Sequence, residues 1–525
     1  MICEDQAAVI ACLASPATHG GAPVEQVETH ASIVFLAGRR ALKLKRAVRY
    51  DYLDFSTAER RREMCEAEVR INRRTAPALY RGVLAVTLEP DGSLALGGPG
   101  EPIDWVVEMG RFDQGGLFDR LAGRGALALG LMHPLGVTIA GFHKGAAPRR
   151  DRGGSAGMDW VLGGNATGFE VEGERIFDAG TSARIINRTR DALARHSVLL
   201  DARRDAGLVR QCHGDLHLRN IVLVDGQPLL FDAIEFNDDI ACIDVLYDLA
   251  FLLMDLWRRH LPGHANAVWN SYLSETLDLD GLPLLPLFLS SRASVRAKTS
   301  ATAAGLQRES ARRAELQTLA RGYLAMADGL LQPPGPCLVA VGGFSGSGKS
   351  TLARAIAPAI GGAPGAVVIR SDEVRKKLCG VPATERLGAD AYTPEVTRRV
   401  YAIVAQMADS VVRNGHGAVV DAVLARSADR EAIQRAAFAA GVPFAGLWLD
   451  APEPVLVARA HDRQFDASDA GAAVIRAQLA EPTGAIHWHR IDASGPEGPV
   501  VDATMTVLRG MVPGSFASLP SSAAC

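Results

Sequence analysis

The segment Gly343-Phe-Ser-Gly-Ser-Gly348-Lys349-Ser350 constrains the fold of this chain more than any other. Glycines at that spacing, closed by Lys-Ser, make a turn whose amides converge on an anion, and the turn works only between a strand and a helix. The apolar run Cys337-Leu-Val-Ala-Val341 supplies the strand, and a helix is predicted to open near Lys349. In this reading Gly343, Ser345, Gly346, Ser347 and Gly348 cradle nucleotide phosphates. Lys349 reaches the β and γ phosphates, and the Ser350 hydroxyl ligates Mg²⁺ with Thr351 beside it. Only seven of the 56 cationic residues are lysines, so a lysine inside a motif is unlikely to be accidental.

Downstream the pattern alternates. Strands are predicted at 338–341, 366–370, 417–421, 444–449 and 486–491, separated by helices, which implies an open parallel α/β sheet. Asp372 follows the second strand, where a carboxylate can accept the proton of an attacking hydroxyl; the alternative is a helix cap. Asp421 ends the third strand, where it would hold Mg²⁺ or simply close a buried strand. Arg459 and Arg463 share a helix face and suit a lid over a transferring phosphoryl group, or are plain surface arginines.

A second constellation lies upstream. His213-Gly-Asp215-Leu-His-Leu-Arg-Asn220 puts a carboxylate and an amide on one tight loop, and Asp232 follows a short strand twelve residues on. Asp215 would be the base, Asn220 and Asp232 the metal ligands, and His213 a brace. Lys43 would neutralise phosphates, held by an ion pair with Glu68. Lys45 and Glu66 are the competing choices, because Lys43 and Lys45 share one strand face. Met109, in Val106-Val-Glu-Met-Gly110, is placed at a hinge where an adenine would stack. A hairpin turning at Gly38, a helix over 57–74 and strands within 80–96 and 103–109 precede a mainly helical stretch. That order suggests two lobes. A long helical run over 290–331 ends at Gln332-Pro-Pro-Gly-Pro336. The expected domains are therefore 1–331 and 337–515, a Pro-rich linker at 332–336, and a loose tail at 516–525.

Apolar residues make up 48% and charged residues 22%, as in ordinary globular chains. A net charge of -3 gives no electrostatic case for nucleic acid or an acidic membrane surface. The eight cysteines are scattered without C-x-x-C, against a disulfide or zinc scaffold. The acidic N-terminus and the lack of a spanning apolar segment lead to the expectation of a cytoplasmic protein.

Two resemblances follow. GGFSGSGKST (342–351), SDEVRK (371–376), VVDA (419–422) and the arginines at 459–463 resemble the P-loop small-molecule kinases: gluconate kinase, chloramphenicol phosphotransferase, zeta-type toxins and polynucleotide 5′-kinases. HGDLHLRN (213–220), FDAIEF (231–236) and YDLAFLLMDL (247–256) resemble the aminoglycoside phosphotransferase family across roughly 25–330. The second departs from its family's pattern twice: the hairpin around Val34–Arg40 has a single glycine, and Phe231-Asp232-Ala-Ile lacks the glycine of D-F-G.

The two together are similar to a bacterial fusion of such domains. The resemblance implies an α+β, two-lobed kinase-like fold followed by an α/β P-loop fold with a parallel sheet. It also implies ATP and Mg²⁺ as cofactors and a small-molecule hydroxyl acceptor. Two other readings are that one domain is a nucleotide-gated regulator of the other, or that the second is a nucleic-acid 5′-end kinase. ATP against GTP, and the oligomeric state, are left open by these residues.

Overall fold

A strand hides one face and shows the other every second residue, and the amino-terminal sheet follows that rule from its first hairpin. Ser32–Ala37 pairs antiparallel with Arg40–Lys45, turning through Gly38 at φ +54°. Leu36 and Ala41 face one side; Phe35, Leu42 and Leu44 face the other. Six antiparallel strands result, in the spatial order Val24–Glu28, Ser32–Ala37, Arg40–Lys45, Glu101–Gly110, Tyr80–Leu88, Leu94–Leu96.

The helix Ala58–Asn72 is capped by the Thr57 hydroxyl, which accepts from the Arg60 amide, and it buries Cys65 and Val69 in the same cluster as Ala41, Tyr80, Val107 and Met109. The opposite face is covered by Val9 and Leu13 of the helix Ala7–Ala14, which the sequence pattern had not indicated. Lys43 and Lys45 follow Ala41 on alternate positions, so the two-residue period delivers both to the face that the Ala58–Asn72 helix covers.

The computed structural model describes residues 3–50, 52–382, 385–461 and 471–517. Two compact units share the chain: residues 1–160 with 197–252, and residues 161–196 with 253–525. The second unit thus takes in helices on both sides of the Pro-rich segment. Its sheet has five parallel strands, ordered Val367–Arg370, Ala418–Asp421, Leu338–Gly343, Phe444–Asp450, His489–Asp492. Val339, Val341, Val419, Leu447 and Leu449 form its core with Ile356 and Leu508 from the flanking helices. The last strand starts three residues later than the sequence suggested.

The stretch at 290–331 is two helices rather than one, Leu285–Leu306 and Ser310–Leu330, because Gln307, two residues after Gly305, adopts an extended conformation (φ -82°, ψ 127°). The edge strand Val367–Arg370 has a side-chain neighbour in place of a sixth strand. Asn266 of helix Pro262–Thr276 donates to the carbonyls of Pro364 and Ala366, and Asn270 accepts from the Val368 amide at 2.7 Å. At the carboxyl end, the Ala517 amide donates to the Ala359 carbonyl and Phe516 bridges Ile360; the tail from 518 on lies outside the described residues. No described helix is long and apolar enough to cross a membrane.

Candidate functional site

In the first unit the two strand lysines do not compete for one role. Lys43 Nζ lies 2.8 Å from Glu68 Oε1 and 2.5 Å from Asp232 Oδ1. Lys45 Nζ lies 2.6 Å from Glu68 Oε2 and 2.5 Å from Glu235 Oε1. Glu68 is fully buried and serves both cations, one carboxylate oxygen each, while Glu66 stays on the surface with Arg62. Burial opposes charge on Lys43, yet Asp232 and Glu68 outweigh it and hold its pKa well above the ordinary value. Burial works against the Glu68 carboxylate as well, and the two lysines overcome it, holding its pKa low. Both groups are therefore ionised at neutral pH.

Glu235 escaped the sequence reading. Its signal was there, three residues after Asp232 in Phe-Asp-Ala-Ile-Glu.

The loop carrying Asp215 is fixed from beneath. Asn220 Nδ2 donates to the Asp215 carbonyl (2.9 Å) and to its Oδ2 (3.0 Å), and His217 Nε2 lies 3.2 Å from the same oxygen. His213 is buried, which lowers its pKa and keeps it neutral, so its Nε2–H donates to the Phe231 carbonyl at 2.9 Å. It braces the loop, as its position suggested. Asp248 does more bracing: its two oxygens accept from the amides of His213 and Gly214, and His143 Nε2 sits 3.0 Å away. His143, Cys212 and Asp248 bring ligand-type atoms within 4.8 Å of one another. The Asp248 oxygens are committed to the loop, and burial pushes the Cys212 thiol up and keeps it protonated, so the trio reads as a brace rather than a metal site. Asp244 pairs with Arg203 and caps the next helix through the Leu246 amide.

Asp232 takes φ +62°, its amide donating to the Tyr80 hydroxyl, and this left-handed turn aims its carboxylate at Lys43. Asn220 and Asp232 offer the hard oxygen donors Mg²⁺ prefers. Met109 lies within a strand, opposite Ala41 and Tyr80, and is part of a buried cluster.

In the second unit the glycine-rich loop leaves Leu338–Gly343 and enters the helix Lys349–Ile356. Gly343 has φ +141°, and a Cβ there would meet the Leu449 carbonyl at 2.7 Å; a Cβ on Gly346 would run into the Leu456 carbonyl. Neither position has room for a side chain, and the buried Ser347 hydroxyl has no hydrogen-bond partner among the described residues. Both features suit a cradle whose donors are kept for a nucleotide phosphate.

Lys349 Nζ donates to the Phe344 carbonyl within the loop at 2.9 Å. Strand register sets Asp421 beside both Val341 and Arg370, at the carboxyl ends of three adjacent strands. Ser350 and Asp421 are joined by Arg370, which donates to the Ser350 hydroxyl (3.2 Å) and to Asp421 Oδ2 (3.1 Å). Asp372 falls in the first turn of helix Ser371–Leu378 and is half-buried; the N-cap position falls to Arg370, so Asp372 is not the N-cap residue.

Arg375 is buried, donating to the Ala391 carbonyl and the Thr397 hydroxyl, so it holds the fold together rather than reaching a substrate. Arg459 donates to the carbonyls of Ala493 (2.6 Å) and Gly495 (2.7 Å), and Arg463 lies outside the described residues. Thr351 is exposed on the helix. Gln478, unforeseen, accepts from the Ser345 amide (2.9 Å) and donates to its hydroxyl (3.1 Å) from the helix Ala472–Ala480. No motif connects residues 133 positions apart, so only the fold reveals it.

Comparisons with known proteins match the two regions of the chain separately. The sequence model of the phosphotransferase enzyme family matches residues 58–282, and that of an AAA domain matches residues 338–483. An uncharacterized protein of Mycobacterium tuberculosis is 30% identical over 497 residues, spanning 92% of this chain and 95% of its own. The adenylyl-sulfate kinase of Myxococcus xanthus is 32% identical over 117 residues, 22% of this chain and 59% of that one.

Among solved structures, a gluconokinase from Sinorhizobium meliloti aligns over 34% of this chain and 94% of its own at 24% identity, with a TM-score of 0.24. A thermostable aminoglycoside phosphotransferase mutant aligns over 60% and 96% at 15% identity, with a TM-score of 0.36. The chain belongs to the family of that mycobacterial protein, as a kinase-type enzyme that joins an aminoglycoside phosphotransferase-like domain to a P-loop kinase-like domain.

Proposed function

We propose that this phosphotransferase uses ATP and Mg²⁺ and has two active sites, each transferring phosphate to a hydroxyl group of a small molecule. The functional boundary is placed in the Pro-rich segment 332–336. The observation that carries the reading is Lys43, held at once by Glu68 and by Asp232. An ionised lysine fixed between two carboxylates is pre-oriented for phosphate oxygens, and no such arrangement is needed for packing alone.

In the first site Asp215 accepts the proton of the acceptor hydroxyl as its oxygen forms a bond to the γ-phosphorus. The bond from that phosphorus to the bridging oxygen breaks, and the electron pair leaves with the diphosphate product. Asn220 holds the Asp215 carboxylate in place through its Oδ2. Lys43 steadies charge on the phosphates, and Asn220 and Asp232 are the residues that would hold Mg²⁺, which neutralises phosphate charge when bound. In the second site the loop amides, Lys349 and Arg459 serve the nucleotide, Ser350 and Asp421 would hold Mg²⁺, and Asp372 takes the acceptor proton. Met109 lines the adenine side of the first site.

The test screens sugars, polyols and nucleosides with the full chain and with Asp215→Asn and Lys349→Ala separately. Each variant is expected to lose turnover of one acceptor class by ~10²–10⁴-fold and to keep the other. Unchanged product formation in both variants would refute the proposal. Loss of nucleotide binding in Lys349→Ala, with no product tied to it, would make the second region a nucleotide-binding regulator instead.

A further inference from the structure

Arg370 closes the edge strand Val367–Arg370, and its guanidinium is shared three ways. Nη2 donates to Ser350 Oγ at 3.2 Å, Nε to Asp421 Oδ2 at 3.1 Å, and Nη1 to Glu373 Oε1 at 3.0 Å. The first two acceptors are the two oxygens proposed above as Mg²⁺ ligands. Asp421 is 5% exposed, so its charge is strongly in need of a counter-ion, and the arginine provides one.

We infer that Arg370 is a built-in cation that competes with the divalent metal for Ser350 and Asp421, and that it sets the Mg²⁺ concentration at which the P-loop site becomes competent. The inference rests on the reading of Ser350 and Asp421 as metal ligands.

The guanidinium and the metal exclude each other. Mg²⁺ takes oxygen ligands at about 2.0–2.1 Å in a strict octahedron. A guanidinium already within hydrogen-bond distance of both oxygens cannot stay between them and the ion, because two positive groups would be forced together in a half-buried site. Metal entry therefore requires the guanidinium to give up Ser350 and Asp421. Glu373 gives it somewhere to go. It lies one turn along, in the first turn of helix Ser371–Leu378, and holds the third edge of the fork, so Arg370 can swing without being left unpaired.

The side chain also borders an apolar cavity of about 250 Å³ with Glu373, Val374 and Leu273, which leaves it room to move on that side. Lysine could not do this work: a compact ammonium lacks the planar fork that spans three acceptors at once. The device keeps a buried carboxylate neutralised at low metal and releases it when metal and nucleotide arrive together.

The experiment uses the full chain, its Arg370→Gln and Arg370→Lys variants, and Lys349→Ala. Binding of a non-hydrolysable ATP analogue is followed calorimetrically at stepped Mg²⁺ concentrations, and the component lost in Lys349→Ala is assigned to the P-loop site. Melting with Mg²⁺ alone, without nucleotide, is recorded in parallel.

Arg370→Gln is expected to lower the Mg²⁺ midpoint of that component by ~10-fold, with Arg370→Lys between it and the parent. It should also melt lower than the parent without metal and be raised selectively by Mg²⁺. An unmoved Mg²⁺ midpoint in both variants, with nucleotide affinity lowered equally at every Mg²⁺ concentration, would overturn the inference and make Arg370 a phosphate ligand. If Lys349→Ala removes no component at all, the P-loop reading itself fails, a result distinct from an unmoved midpoint. Arg370→Lys keeps the positive charge and guards against a variant that simply fails to fold.

Discussion

Lys43 reaches Glu68 across 25 residues of sequence and Asp232 across 189, whereas the groups proposed to hold phosphate in the second unit lie almost entirely within Gly343–Thr351. The first site is assembled by charged side chains that meet only when the sheet, the helix Ala58–Asn72 and the loop after Gln227–Leu230 are all in place. The second is assembled by a backbone turn whose shape is dictated locally by glycine.

The difference has an energetic side. Lys43, Lys45, Glu68 and Glu235 are buried together, and such a cluster is stable only while every charge keeps its partner. The loop asks little of its side chains and depends instead on positions such as Gly343 and Gly346, where any Cβ collides with a neighbouring carbonyl. The proposed catalytic roles and the structural ones are therefore fused in the first site and largely separate in the second.

Glu235→Ala tests that contrast hardest. It leaves Lys45, 1% exposed, with only half of Glu68 as counter-charge. Removing one partner of a buried pair costs about 3–5 kcal/mol, and denaturant unfolding should show that loss. Lys349→Ala, which removes a hydrogen bond to the Phe344 carbonyl, should cost less in the same measurement, about 1 kcal/mol. Comparable losses from the two substitutions would erase the distinction.

Acid separates the regions in a subtler way. His416 is fully buried against Trp269, and burial lowers its pKa to about 4 although its Nε2–H donates to the Gly365 carbonyl. Its folded pKa lies below its unfolded value of about 6.5, so its contribution is complete above pH 6.5. As the pH falls from there towards 4 the unfolded chain binds a proton the folded one refuses, and stability drops by up to about 3 kcal/mol. His416→Gln, which keeps a donor for Gly365, should flatten that part of the pH profile in the second unit. A profile unchanged by the substitution would show that the histidine titrates freely.

How much of this was readable beforehand follows the same division. The loop at Gly343–Ser350, the parallel sheet and the Asp215–Asn220 turn were legible because each is a local pattern with a fixed spacing. Lys43 and Glu68 were singled out by position, but the sequence offered Lys43 or Lys45, and the fold uses both, since one carboxylate has two oxygens.

Arg370 and Gln478 were missed as site residues for a common reason. Each acts on a group brought near by tertiary return, and a polar residue on a strand end or helix carries no mark of what it will face. The break at Gln307 between two helices had a weak local signal in Gly305, which the surrounding helix-forming alanines outweighed. The helix Ala7–Ala14 was overlooked because eight small and apolar residues show no clear period.

Asn270 probes the smallest effect, at the edge where the second site's sheet meets a helix that lies before the Pro-rich segment in sequence. Its Oδ1 accepts from the Val368 amide at 2.7 Å, and its Nδ2 donates to the Ala366 carbonyl at 3.2 Å, so one side chain imitates the pairing of a missing strand. Asn270→Ala strands the Val368 amide, a cost of about 1–3 kcal/mol if it stays dry and less if water enters. The loss should be local. Hydrogen exchange is expected to speed up at Val367–Arg370 and to stay unchanged in Leu338–Gly343 and throughout the first unit. Because Arg370 ends that strand, the Mg²⁺ midpoint of the P-loop site should shift in the same direction as in Arg370→Gln but by less. Faster exchange spread evenly over all five strands would mean instead that the asparagine supports the whole sheet, and that the P-loop site depends on sequence outside 337–515 for its very fold.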